Sequence, residues 1–513
     1  MSSKGSFQYV VIGAGSAGCV VANRLSADPQ MSVLLLEAGG ADSRPEIDDP
    51  AGMLKTWGSE IDWKYETEPE PALNGRKIPI ARGKVLGGSS AINAMIHIRG
   101  NRRDFDHWNF LGNDGWSYDE VLPFFKKSEN YLGPASQFHG TGGPLTIVNH
   151  PRPSPVALAF ANAGPELGFG GPDWDFNGEQ QEDGTGLYQY TLDTNGKRAS
   201  AAAAFLRPIL TRKNLTVTLY ATVSHLLFEN NRTVAVEFIQ NGQTQQARVE
   251  GEAIVCAGTF DSPKILMRSG VGPADLLKSH GIPVVADLPG AGQNLQDHLL
   301  LPVLYRSKRE LPVPMFIAEA GLFTRTRSNM KAASPDLQFH FSAGLPAFAP
   351  PGLTGPWYGF VPILVRPQSV GSVVIGSRNP LDPGFIRTNY LQMQTDLDVL
   401  LRGIELSREI AHTRAFSEFG SDEVAPGTHR SKRELSEYIR GHCSTVWHVS
   451  GTCVMGRGPM AVVDPQLRVY GVEGLRVADA SIMPTVVAGN TNAACIMIGE
   501  KLADMLQPQR TRS

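Results

Sequence analysis

Near the start of the chain, Gly13, Gly15 and Gly18 follow the apolar run Tyr9-Val-Val-Ile in a G-x-G-x-x-G spacing. Glu37 closes a second apolar run, Val33-Leu-Leu-Leu36, nineteen residues past the last glycine. These residue types at these intervals suit the pyrophosphate and ribose of a dinucleotide. Gly13 permits a tight turn out of a strand, Gly15 lets backbone approach a pyrophosphate with no Cβ in the way, and Gly18 lets the following helix lie close on a sheet. That helix, opening at Ser16, points free N–H groups and a positive dipole end at the phosphates. A carboxylate at Glu37 accepts from adenosine ribose hydroxyls and repels the extra 2′-phosphate of an NADP-type ligand, so FAD and NAD both satisfy the pattern. Ordinary turns also contain glycines at these spacings. The flanking strand, helix and acid favour the cofactor.

A second cluster of small residues runs Arg82-Gly83-Lys84-Val-Leu-Gly87-Gly88-Ser89-Ser90-Ala-Ile92-Asn93, then Arg99-Gly100-Asn101. With nothing projecting, such a loop brings N–H groups up to a phosphate or a flavin edge, though on its own it also reads as a surface turn. A third cluster, Cys256-Ala-Gly258 through Ser262-Pro263 to Ser269-Gly270-Val271-Gly272, lies in the middle of the chain.

The elements that must position these clusters read as α/β. Segments of that character, about 7–40, 215–310 and 450–507, alternate with segments of another type, so the chain leaves one domain and re-enters it. Residues 358–376 read as strands, and 394–413 and 431–440 as amphipathic helices, a mixture that suits a sheet covered by helices. The expected division places 1–155, 196–305 and 450–513 in a discontinuous cofactor domain and 156–195 with 306–449 in a substrate domain.

The 513 residues exceed what one core usually organises, and 42% hydrophobic residues support large cores. A net charge of −3 argues against a nucleic-acid or membrane footprint. No apolar run of bilayer-spanning length occurs and the first residues lack a secretion-signal core, so the cytoplasm is the expected compartment. Five scattered cysteines, with no C-x-x-C among them, predict buried thiols rather than disulfides. His442, Cys443, His448 and Cys453 lack the spacing of a zinc knuckle, and no metal is expected. Neither a G-x-S-x-G elbow nor a G-x-x-x-x-G-K-[ST] loop occurs, which removes the common hydrolase readings.

Residues 83–106 resemble the first sequence signature of the glucose–methanol–choline (GMC) oxidoreductases, and 258–272 resemble the second at every constrained position. Leu475-Arg-Val-Ala-Asp479-Ala480-Ser481, with Gly489-Asn490-Thr491-Asn492, looks like that family's closing flavin-contact and active-site segment. The resemblance spans nearly the whole chain, weakest over 130–215 and 305–360. It implies a Rossmann-type FAD-binding domain interleaved with a substrate domain, and FAD as cofactor. It also assigns Glu37 to the adenosine ribose, Gly87, Gly88, Ser89 and Asn93 to the flavin, and Val223 to adenine through its backbone. Asp479 and Ala480 go to the pyrophosphate and ribityl chain, and Asn490 and Thr491 to the closing cofactor segment.

The same resemblance implies oxidation of a primary alcohol to the aldehyde, with proton abstraction by His448 and hydride transfer to flavin N5. Histidine suits the role because its ordinary pKa near 6.5 leaves it neutral at pH 7. Asn492 is the implied partner for the substrate oxygen; an amide does not titrate but donates to a developing alkoxide. Electrons then pass to O2 or another acceptor.

Two departures stand out. Ile92 occupies the position where some members attach FAD through a histidine, so the FAD is expected to be non-covalent. His97 stands where the signature expects an aromatic residue or alanine, and reads either as packing or as a titrating group near the flavin. For the substrate, proline-rich apolar stretches at 311–317 and 345–358 read as loops over a cleft for a neutral alcohol, or simply as stiff surface loops. Aryl- or furfuryl-type alcohols and a choline-like cation both remain, with Glu319 the candidate carboxylate for a cation and Trp447, beside the base, favouring aromatic alcohols. His298 and His340 read as lining the cleft or as packing. The same fold also hosts hydroxynitrile lyases and light-driven fatty-acid decarboxylases, which stand as alternatives, as does a non-catalytic flavoprotein.

Overall fold

Apolar runs with no polar alternation predict strands buried on both faces, and residues 9–12 and 33–36 at the centre of the main sheet are such runs. A computed structural model describes residues 2–507 other than 331, 350–351 and 429. Strand Ser2–Ile12 sits centrally, pairing in parallel with Val33–Leu36 on one side and with Gln243–Val255 on the other. Leu215–Thr218 extends the parallel set beyond Val33–Leu36, and Leu475–Val477 joins the end of Gln243–Val255. An antiparallel meander, Ala221–Glu229 and Arg232–Gln240, completes the seven strands. Val10, Val11, Leu34 and Leu35 are wholly buried, each contributing about 1.5–3 kcal/mol of transfer free energy.

The helix Ser16–Leu25 packs on this sheet and against Asn492–Leu506, which brings the last long helix beside the first glycine turn. Close packing there is enforced by the glycines. A Cβ on Gly18 would overlap the Gly13 carbonyl oxygen, and Gly13, at φ +97°, backs onto the Cys256 carbonyl.

A second, eight-stranded antiparallel sheet runs in the order Asp422–Ala425, Val303–Arg306, Trp357–Leu364, Leu337–Ala343, Ala320–Thr324, Gly184–Leu187. Helices Pro155–Glu166 and Gln394–Ala411 cover it, with Phe160 stacked on Phe341 at 4.7 Å and Leu400 and Ile404 wholly buried. Strands Trp357–Leu364 and Ser372–Val374 fall where 358–376 predicts them, and helices Gln394–Ala411 and Lys432–His442 match 394–413 and 431–440 closely. Having contributed Gly184–Leu187, the chain returns to this second sheet at Leu299–Leu300, before 306. That short strand lies between Trp357–Leu364 and Ser444–Thr445, so residues 296–300 run alongside 444–450.

Candidate active site

Between the glycine turn, the 82–89 loop and the helix Gly258–Arg268 lies a cleft open to solvent. Gly15 and Ser16 form one wall, Gly88 and Ser89 a second, and Asp479 and Ala480 a third. The helix Ser16–Leu25 begins at Gly15 with no side-chain cap and no acid in its first turn, leaving its leading N–H groups for an anion. A Cβ on Gly15 or on Gly258 would meet nothing within 4 Å, so both glycines leave room for a bound group. Gly88, at φ +52°, lies against Gly15, where an added Cβ would be 2.7 Å from the Gly15 Cα.

At one end Glu37 accepts from the Ala14 N–H (2.9 Å) and the Gly39 N–H (2.8 Å). Burial pushes its carboxyl up to about 7 against those two hydrogen bonds. Its remaining lone pairs suit ribose hydroxyls. Asp479 accepts from the Gly258 N–H (2.8 Å), the Ser262 hydroxyl (2.6 Å) and the Ser481 N–H (2.8 Å), tying the helix Gly258–Arg268 to the 479–482 turn. An uncapped helix start, a glycine cradle and a buried acid at opposite ends of one cleft fit a dinucleotide. Thr222 and Val223 line the same cleft.

Other expected cofactor residues sit just behind its walls. Gly87 turns the loop at φ +88°, its N–H donating to the Ala14 carbonyl (2.8 Å). Asn93 is engaged by Arg198, which donates to its side-chain oxygen at 2.8 Å and its carbonyl at 2.6 Å. Thr491 stands at the N-cap position of the helix Asn492–Leu506 without a side-chain hydrogen bond to it. Ile92 is buried against Trp57 and Trp447.

His448 is placed by three segments. Trp447 adopts φ +63°, strained for a tryptophan, and is pinned by its N–H to the Thr445 hydroxyl (2.7 Å) and by Arg82 to its carbonyl (2.7 Å). Thr445 in turn donates to Asp297 (2.5 Å), which also accepts from Tyr390 (2.6 Å) and from the His298 N–H (2.9 Å). Asp297 therefore locks the 296–298 and 445–448 segments together, its carboxyl pushed up to about 6 by burial. His448 is buried, and desolvation, with His298, His340 and Arg82 nearby, holds its imidazole well below the ordinary value. The ring is neutral at pH 7.

The two asparagines near the C-terminus part ways. The Asn490 amide nitrogen lies 3.2 Å from His448 Nε2. Asn492, expected to be the catalytic partner, turns away and accepts from the Ser16 hydroxyl at 2.7 Å. The physical reason is the helix that starts at Asn492: side chains on a helix lean toward its N-terminus, here toward the glycine turn, whereas Asn490 sits on the irregular segment before it.

His298 is wholly buried with its Nδ1 3.0 Å from His448 Nδ1, a contact that nothing in the sequence signals beyond its place after Gln296-Asp297. His340 hydrogen-bonds Tyr188 through Nδ1 (2.9 Å). His97 lies off the cleft in a buried network, 2.9 Å from Glu129, which also binds Arg99 and His139. Glu319 is wholly buried and satisfied by Ser154 (2.9 and 2.7 Å) and the Ala343 N–H, beside His150. An aliphatic cluster lies next to the histidine pair: Ile363, Val365 and Ala488 pack with Leu300, Val361 and Val446, and the Val365 backbone bonds the His298 ring. Of the apolar loops, 345–358 includes 350–351, which lie outside the described residues, as do 508–513 of the expected cofactor domain. Among the described residues no helix is long and apolar enough to cross a membrane.

Comparison with known proteins gives a consistent result. Two family models described as GMC oxidoreductase match residues 7–300 and 367–499. The oxygen-dependent choline dehydrogenase of Escherichia coli O139:H28 (strain E24377A / ETEC) is 40% identical over 98% of this chain and 96% of its own. Pyridoxine 4-oxidase from Mesorbium loti superposes with a TM-score of 0.91 at 35% identity, covering 98% of this chain and 99% of that one. A formate oxidase variant of Aspergillus oryzae RIB40, studied for modification of its FAD, follows with a TM-score of 0.90 at 26% identity and 98% coverage of both chains.

Proposed function

This chain belongs to the GMC oxidoreductase family and is an FAD-dependent oxidoreductase, and from that premise we propose that it oxidises a neutral primary alcohol to the aldehyde with His448 as the base. FAD, when bound in the cleft, supplies the hydride acceptor. The hydroxyl proton goes to His448 Nε2, whose ring is neutral because it is desolvated. Asn490, which presents an N–H at 3.2 Å from that nitrogen, donates to the alcohol oxygen as it gains negative charge. Asn492 serves the cofactor side instead, through Ser16. Ile92 offers no nucleophile, so the flavin is held without a covalent bond.

The observation that carries this reading is the pairing of a neutral imidazole and an amide N–H next to an aliphatic cluster. The cluster favours a substrate with an apolar or aromatic body, since Glu319, the one carboxylate with a claim on a cation, is enclosed and hydrogen-bonded elsewhere. A choline-like cation is the second reading, supported by 40% identity to choline dehydrogenase over nearly the whole chain. Anaerobic mixing of the holoenzyme with benzylic and furfuryl alcohols, and in parallel with choline, tests both. Rapid flavin bleaching by the aryl alcohols and none by choline is expected. Bleaching by choline alone selects the second reading, and no bleaching by any alcohol removes both. His448→Ala should retain FAD and lose about 10³-fold in the rate of reduction.

A further inference from the structure

Both ring nitrogens of His448 face nitrogen: Asn490 Nδ2 at 3.2 Å on one side and His298 Nδ1 at 3.0 Å on the other. Asn490 Nδ2 carries only hydrogens to give, so His448 Nε2 must hold its lone pair toward it. The hydrogen of the neutral ring then sits on Nδ1. At 3.0 Å two N–H groups would clash and two lone pairs would repel, so one hydrogen lies between the two imidazoles, and it belongs to His448. His298 Nδ1 accepts it, which leaves the hydrogen of His298 on Nε2. That hydrogen faces the Val365 backbone carbonyl, which accepts from the His298 ring and fixes the same tautomer.

We infer that His298 is a positioning residue for the alcohol oxidation: as a neutral acceptor it holds His448 in the tautomer whose Nε2 is free to take the hydroxyl proton. The inference rests on the reading of His448 as base. In the reverse tautomer Nε2 carries hydrogen and cannot accept. When the substrate O–H breaks, its proton bonds to Nε2, the positive charge spreads over the His448 ring, and the Nδ1–H keeps donating to His298; no proton passes between the rings. The edge of one ring meets the other at 90° with centroids 5.1 Å apart, which aims the His298 lone pair along the N–H. The charged or titratable groups facing the pair are His340, Arg82 and Asp297; only Asp297 is a carboxyl, and its oxygens are taken up by Thr445, Tyr390 and the His298 backbone. The accepting partner is thus an uncharged imidazole rather than a carboxylate, so the imidazolium formed during the reaction is held in place but only weakly stabilised, and it is ready to give its proton up again.

The test compares His298→Leu, which fills the space without an acceptor, with His298→Asn, which restores an amide oxygen, in FAD-loaded enzyme reduced anaerobically by a saturating alcohol across pH. The Leu variant should keep its flavin and its substrate affinity within about twofold and lose about 10- to 100-fold in limiting reduction rate. The Asn variant should recover most of that loss, and the two variants should differ from wild type in the acid limb of the pH profile. Wild-type rate and profile in the Leu variant, or an Asn variant as slow as the Leu one, would overturn the inference. If the Leu variant does not fold, the Asn variant decides alone: a rate within about threefold of wild type with a shifted acid limb supports the assignment, and an unshifted limb refutes it. His448→Ala measured alongside separates the failures, since normal reduction there defeats the base itself, whereas a collapse there with an intact His298→Leu defeats only the positioning role.

Discussion

The glycine-lined cleft and the His448 pocket are neighbours built on opposite plans. The cleft is made of backbone: glycines that must lack a Cβ, a helix start with spare N–H groups, and acids whose oxygens are fixed by main-chain donors. The pocket is made of side chains from three separated segments, 296–300, 445–450 and 488–490, joined through Asp297 and Thr445. A backbone-built site fails when an atom is added, and a side-chain-built site fails when one is removed.

The largest effect that sharpens this contrast comes from Gly18→Val. The added atoms run into the Gly13 carbonyl and force the helix Ser16–Leu25 off the sheet, so the purified protein should lose its bound flavin as well as its activity. Flavin absorbance after gel filtration reads this directly. His448→Ala should do the opposite, staying yellow while inactive; a colourless His448→Ala protein would break the distinction between the two regions.

Next in size is the pair of asparagines. Asn490→Ala should slow reduction by about 10²-fold by deleting the donor beside His448 Nε2 that is proposed to meet the alcohol oxygen. Asn492→Ala should change the reduction rate by less than about threefold and instead loosen FAD, through the lost Ser16 contact. Stopped-flow reduction rates and FAD dissociation constants for the two variants separate chemistry from cofactor binding, and equal rate losses would contradict the geometry.

Why one region was readable in advance and the other was not follows from these plans. Asp479, held by Gly258 and Ser262 from far along the chain, is legible only through the family resemblance, whereas the glycine turn and Glu37 are constrained by their immediate neighbours, so spacing along the chain carries the information. The match of predicted to observed elements over 357–374, 394–411 and 432–442 has the same origin, since periodicity is local. The Asn490/Asn492 choice is not local in that sense. Both are polar, they lie two residues apart, and only the exact start of the last helix determines which one swings toward His448 and which toward Ser16. Glu319 shows the same limit, because Ala318-Glu-Ala-Gly321 says nothing of Ser154 and His150, which enclose it from far along the chain. His298 was visible as a candidate, but its ring-to-ring contact depends on the 296–300 strand running beside 444–450.

The smallest expected effect is on stability against pH, where the two regions carry opposite signs. Glu37, raised to about 7 by burial, binds a proton in the folded state that the unfolded chain does not hold above about 4.5; its contribution is complete at low pH and is lost as pH rises through about 7. His340, lowered to about 3 by burial, stays neutral when the unfolded chain takes up a proton below about 6.5. Its contribution is therefore present above pH 6.5 and falls away, by at most about 1.4 kcal/mol per unit, as pH drops toward 3. Replacing His340 by leucine removes the second slope and leaves the first. Between pH 7 and pH 5 the fall in melting temperature should then be smaller in His340→Leu than in wild type by about 1–3 °C, the size expected for a chain this long. Calorimetry at the two pH values measures the difference, and a larger fall in the variant would mean that this histidine is charged in the folded protein and that the neutral character assigned to the whole pocket is wrong.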